Sequence, residues 1–133
     1  MICCGLDLTF WPIAKQYLEP AIKLSRGAFD ADDIYNLIVT KKAQLWGVHD
    51  GDLKAVIVTE VIVYPKVKRL RLFLLGGHEM IDWEDMVSDT FDRFAKEHDC
   101  DGIELLGRRG WVKNLKQYGY EQFDTAMLKK FKE

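Results

Sequence analysis

Residues 53–64 include Val56, Ile57, Val58, Thr59, Val61, Ile62 and Val63. Side chains branched at Cβ lose rotamer freedom in a helix and pack well on a pleated sheet, so this run predicts a strand. It is bracketed by turn chemistry, with Asp50-Gly51 before it and Pro65-Lys66 after it. Asp-Gly is a strong hairpin signal, and proline presets the backbone of a turn. Residues 43–49 and 67–75 are the flanking strands, the latter with Leu70, Leu72 and Leu74 on one face. The three runs therefore predict an antiparallel meander. A turn centred on Pro65-Lys66 sets Tyr64 opposite Val67 and Glu60 opposite Arg71, as a cross-strand ion pair.

The meander does not close the fold. Beyond Gly76-Gly77, Trp83, Met86, Val87, Thr90, Phe91, Phe94 and Ala95 recur at spacings of three and four, which predicts a helix with Asp82 as its N-cap. Asp99-Cys100-Asp101-Gly102 ends it, and residues 103–106 form a short apolar strand. A strand, a helix and a second strand in that order make a right-handed crossover, so those two strands lie parallel in a mixed sheet.

Two helices precede the meander. The first starts at Thr9 or Phe10, with Thr9 as its cap and Ala14, Tyr17, Leu18, Ala21 and Ile22 on one face. Pro20 predicts a break near Glu19, because proline lacks the amide donor and collides with the preceding turn. The second helix follows Asp30, with Asp33 three residues on. Near the C-terminus, residues 110–118 read as a short helix stopped by Gly119, and 123–131 as a last strand blunted by lysines. The order is α-α-β-β-β-α-β-α-β in a single domain spanning 1–133.

Charge and cysteine content narrow the function classes. Nineteen basic and 21 acidic side chains give a formal net charge of −2. That balance predicts no strong nucleic-acid footprint. No apolar run approaches the ~20 residues of a membrane span, and the first residues carry no basic leader, so a chain that is not secreted is expected. Cys3, Cys4 and Cys100 fit neither a disulfide framework nor metal-ligand spacing, and no metal is expected.

The element order resembles the GNAT (GCN5-related N-acetyltransferase) fold, an α/β (α+β) architecture with a central mixed sheet and flanking helices. The stretch Thr59-Glu60, Tyr64-Pro65, Lys68, Gly76-Gly77, Trp83, Ile103-Glu104, Gly107-Arg108, Gly110-Trp111 and Gly119-Tyr120 is similar to a phage and prophage subset of that family, related to a small internal virion protein of short-tailed phages. The resemblance makes 67–75 the family's fourth strand and 102–106 its fifth, with a wedge between them for the acyl arm of acetyl-CoA. It implies that acetyl-CoA would meet Phe73, Leu74, Leu75, Gly76, Gly77, His78 and Arg108. It also makes Glu60 the candidate base for an amine and Tyr118 the candidate acid for the leaving thiolate.

The sequence departs from the family's enzymes at two places. They carry Arg/Gln-x-x-Gly-x-Gly/Ala where this chain has Leu74-Leu75-Gly76-Gly77-His78-Glu79, and the usual position of the acid holds Leu115. Glu79, Asp82, Glu84 and Asp85 crowd the helix start, where each acid competes for the potential a pyrophosphate needs. Two functions follow. One is a non-classical or inactive homologue acting in virion assembly or host interaction, partnered by other phage proteins in the virion or host cytoplasm. The other is an acetyl-CoA-dependent N-acetyltransferase acting on a small amine or a protein. Open sheet edges allow a homo-oligomer.

Overall fold

The computed structural model describes residues 2–77, 80–105, 115–123 and 127–132. The elements run β1 (Ile2–Gly5), α1 (Trp11–Lys23), α2 (Ala31–Val39), β2 (Gln44–Asp50), β3 (Asp52–Val63), β4 (Lys68–Gly77), α3 (Met80–Glu97) and β5 (Gly102–Leu105). Single 3-10 turns at Leu8–Phe10 and Lys116–Tyr118 complete the described elements. The strands lie in one sheet, in the order β1-β2-β3-β4-β5. All neighbours are antiparallel except β4 and β5, which are parallel.

Helices cover both faces, so the central strands read as continuous apolar runs. Ala14 and Leu18 of α1 and Ile34 of α2 pack with Val56, Val58 and Leu74 on one face. Val87, Phe91 and Ala95 of α3 pack with Val48, Ala55, Ile57 and Leu70 on the other. Trp46 meets Phe91 edge to face with ring centroids 5.0 Å apart, and its indole N–H donates to the buried Thr59 hydroxyl at 2.8 Å. That bond satisfies two polar groups that burial would otherwise penalise.

The hairpin register follows the turn. Val63 pairs with Lys68, Glu60 with Arg71 and Thr59 with Leu72, and the Tyr64 amide donates to the Val67 carbonyl at 2.8 Å. One step further the register shifts, because Val58 pairs with Leu74. Phe73 is therefore an extra residue, a β-bulge in β4. It carries the strand's two faces past each other: Leu72 packs on the α3 side, and Phe73 and Leu74 both pack on the α1 side.

Several expectations are corrected. An N-terminal strand, β1, pairs with β2, so 67–75 becomes the fourth strand in chain order. Asp7 rather than Thr9 caps the chain's entry into α1, its carboxylate accepting from the Thr9 amide at 3.0 Å. Pro20 does not break α1, which continues to Lys23; its exposed ring is tolerated because Ala14 and Leu18 anchor the helix on the sheet. The helix after β4 starts at Met80, so Asp82 lies inside its first turn and is not the cap. Gly76 and Gly77 are strand residues paired with Val56 and Ala55, not a turn. Phe123 and residues 127–132 form no strand. Of the expected helix at 110–118, only its end is described, as the Lys116–Tyr118 turn closed by Gly119 at φ 90°. The α2 start holds as expected: Asp30 and Asp33 each accept the other's amide in a reciprocal cap.

Candidate active site

The site begins at the bulge in β4, where the described pairing of β4 with β5 ends. Their last described pair is Leu72 with Leu105, and the bulge at Phe73 follows directly. Bulges bend a strand and end its pairing, and they recur beside active sites for that reason. Beyond the bulge, the Phe73–Leu75 backbone has no strand partner on the β5 side among the described residues. Phe29, in the connection between α1 and α2, packs on Phe73 with ring centroids 5.0 Å apart and holds the bulge from one face.

Four polar side chains gather across β3, β4 and β5 just before the bulge. The Arg71 guanidinium lies 3.3 Å from Glu60 and 3.9 Å from Glu104. The Tyr64 hydroxyl donates to Glu104 at 2.6 Å, and Arg71 donates to Tyr64 at 3.4 Å. The residue alternation of each strand produces this arrangement. Glu60 and Tyr64 are four apart in β3 and its exit, and Arg71 is the register partner of both Glu60 and Glu104. Strand rise places the cluster roughly 7 Å from the bulge, two residues on. Burial works against the Arg71 charge, but the Tyr64 bond and the two carboxylates outweigh it and raise its pKa. The guanidinium thus stays charged and cannot itself accept a proton.

A second polar group joins α3 to the Lys116–Tyr118 turn. Glu84 accepts from Gln117 at 2.7 Å and from Tyr118 at 3.2 Å, and Tyr118 also donates a short bond to Asp85. The bond to Asp85, then burial and the two nearby carboxylates, push the Tyr118 phenol above its ordinary range. Its proton is already directed at carboxylates. Glu84 is 9% exposed, and its Oε2 has no hydrogen-bond partner among the described residues.

The expected site residues fall into separate places. Glu60 sits in the cluster beside the bulge, and Phe73, Leu74 and Leu75 are the bulge and the residues after it, their side chains packed in the two cores. Gly76 and Gly77 are there for packing. A Cβ on Gly76 would overlap the Tyr17 carbonyl of α1, and one on Gly77 would lie 2.6 Å from the Lys54 carbonyl oxygen. Tyr118 belongs to the α3 group. His78 and Arg108 lie outside the described residues. Tyr64 and Glu104 were not singled out for chemistry. The four-residue step from Glu60 to Tyr64 could have shown one of them, whereas Glu104 depends on a parallel register that no turn sets.

The same geometry tests the fit of an acyl-CoA. The bulged main chain at Phe73–Leu75 is the stretch that would take the acyl arm. Glu84 and Asp85, near the start of α3, put negative charge where a pyrophosphate would compete with it. Among the described residues no group of three or more His, Cys, Asp or Glu is placed to hold a metal ion. Nor is any described helix long and apolar enough to cross a membrane.

No family model matches the sequence, and no curated protein sequence matches it. Solved structures do match its fold. A GCN5-related N-acetyltransferase from Ralstonia eutropha JMP134 superposes with a TM-score of 0.73 at 15% identity, covering 98% of this chain and 97% of that one. A ribosomal-protein-alanine N-acetyltransferase from Brucella melitensis biovar Abortus 2308 gives 0.73 at 15% identity, with 98% and 100% covered. A predicted acetyltransferase from Clostridium acetobutylicum, solved with acetyl-CoA, gives 0.71 at 12% identity, with 97% and 95% covered. The mixed five-stranded sheet, the helices on both faces and these superpositions together show that the chain has the GNAT acetyltransferase fold.

Proposed function

We propose that the chain is an acyl-CoA-dependent N-acyltransferase that transfers an acetyl group to an amine. The observation that carries this reading is the Phe73 bulge in β4, with a carboxylate cluster immediately beside it. When bound, acetyl-CoA supplies an acyl group activated as a thioester. The chain's own part is to orient and to move protons. Main-chain groups of Phe73–Leu75 hold the acyl carbonyl. Glu60 or Glu104 takes a proton from the incoming ammonium, directly or through water, and frees the nitrogen lone pair to attack. A C–N bond forms, the C–S bond breaks, and the leaving thiolate takes up the proton that the new amide nitrogen releases. Arg71 and Tyr64 hold the two carboxylates in place.

One observation favours a second reading. Tyr118 spends its proton on Asp85 and Glu84, and those acids oppose a pyrophosphate. A non-catalytic GNAT-fold scaffold, of the phage type that the sequence resembles, is consistent with that arrangement.

Calorimetry with acetyl-CoA separates the two. Binding is expected, with a stabilisation of about 2.7 kcal/mol at roughly 100 times the dissociation constant. With an amine panel, Glu60→Gln combined with Glu104→Gln should lower kcat by about 100-fold, in the range of a lost general base, while acetyl-CoA still binds. No heat and no thermal shift would overturn the transferase reading and leave the scaffold.

A further inference from the structure

Arg69 carries a charge that the carboxylate cluster does not use. Leu70 packs on the α3 side of β4, so strand alternation sends Arg69 and Arg71 together to the opposite face. Arg71 is engaged there by Glu60 and Glu104, whereas Arg69 has no carboxylate partner among the described residues. Two rings hold its guanidinium instead, with its central carbon 5.3 Å from the Tyr64 centroid and 5.9 Å from the Phe123 centroid. Such contacts fix a guanidinium in place, yet they neither cancel its charge nor occupy its N–H donors. A planar fork of donors held in one position matches an oxyanion, either a carboxylate or a phosphate.

The two arginines give this face two ends of opposite need. Glu60 and Glu104 share the single guanidinium of Arg71, which leaves one negative charge to be balanced. An ammonium balances it. Two residues along β4, roughly 7 Å away, Arg69 leaves one positive charge to be balanced. Tyr64 spans both ends, because its hydroxyl bonds Glu104 and Arg71 while its ring lies under Arg69. A molecule electrically complementary to the whole face therefore carries an ammonium at one end and an acid at the other. A diamine of the same length would set its second ammonium against Arg69, a repulsion that selects against it.

We propose that the acyl acceptor is a zwitterion, a primary amine with a carboxylate or phosphate roughly 7 Å from its nitrogen, and that Arg69 selects it by pairing with that acid. The inference rests on the transferase reading, which sets the amine beside Glu60 and Glu104, and deepens it by naming the substrate class. Arg69 meets the acceptor's distal acid and no reacting atom, so it acts on binding and not on the chemical step.

Calorimetry on the full chain with probes of similar length tests it, using hexylamine, aminohexanoate, aminobutyl phosphate and hexamethylenediamine. The two acid-bearing amines are expected to bind at least tenfold more tightly than hexylamine, and hexamethylenediamine more weakly than either of them. The tighter of the two acids tells whether the site takes a carboxylate or a phosphate. Arg69→Gln should abolish the preference and Arg69→Glu should turn it towards the diamine, with circular dichroism showing both variants folded. In acetyl transfer the same order should appear in KM and not in kcat. Equal binding of all the probes to the wild type, or an acid preference that survives in Arg69→Gln, would overturn the proposal. Acetyl transfer to hexylamine and aminohexanoate with equal KM would sink this inference and leave the transferase reading standing. Acid-selective binding with no transfer from acetyl-CoA would sink the transferase reading and leave Arg69 as the anion-selecting residue.

Discussion

Gly76 has no side chain because the backbone of α1 occupies the space where one would go. Read in the sequence, Gly76-Gly77 looks like a bend or an anion seat, since glycine is permissive of both. A close approach by a segment 59 residues earlier leaves no local trace, so that role is visible only in three dimensions. The cysteines divide in the same way. Cys3 and Cys4 are neighbours in β1, and strand alternation sends Cys3 into the α3-side core and Cys4 to solvent. Burial, and then the charge of Cys4, push the Cys3 thiol up to about 12 from an ordinary 9.0. The thiol is thus neutral in the folded state, while the unfolded chain ionises from about pH 9. Its contribution to stability is complete below pH 9 and declines as the pH rises from 9 towards 12. Cys4 should alkylate with iodoacetamide well before Cys3 near neutral pH. The urea midpoint should fall above pH 9 less steeply in Cys3→Ala than in the wild type. Equal labelling of the two thiols would contradict this placement.

Among the elements, α2 and the β3–β4 hairpin are legible in the sequence because local chemistry sets their ends. Asp30 and Asp33 cap α2 reciprocally, and Pro65-Lys66 fixes the hairpin register that pairs Glu60 with Arg71. The bulge is different. Its extra residue, Phe73, has no composition signal; packing against Phe29 on one face and Leu74's place in the α1-side core impose it. Deleting Phe73 would restore simple alternation, with Leu72 and Leu75 still on the α3 side and Leu74 on the α1 side. That deletion variant should keep its sheet by circular dichroism yet bind acetyl-CoA at least tenfold more weakly, because the main chain proposed to hold the acyl carbonyl then loses its bulged course. Unchanged affinity would remove the bulge from the site. The missed strand β1 is four residues long, too short for periodicity to announce, and it forms because β2 offers an edge.

At the scale of the whole molecule, the sheet carries two separate apolar cores. Leu18 is fully buried in the α1–α2 core and Phe91 in the α3 core. Leu18→Ala should cost about 2–5 kcal/mol and Phe91→Ala about 3–5 kcal/mol, by transfer and cavity terms together. The residues belong to different cores on opposite faces and share no neighbour among the described residues, so their costs should add within about 0.5 kcal/mol in urea unfolding. Strong coupling between them would mean that the sheet transmits packing strain from face to face. A typical domain holds only about 5–15 kcal/mol in total, so the double variant should be largely unfolded.

The meander, its register near the Pro65-Lys66 turn, the long α3 and the crossover to β5 are legible in the amino-acid order, because each follows from side-chain periodicity or from the residues of one turn. So is the Glu60–Arg71 pair, which is a consequence of that register. Packing in three dimensions sets the rest: Glu104 and Tyr64 complete the cluster, Pro20 rides within a continuous helix, and residues 127–132 find no strand partner among the described residues. Those outcomes depend on contacts between segments distant in sequence, where the free energy of packing overrides local preference and leaves no pattern in either segment alone.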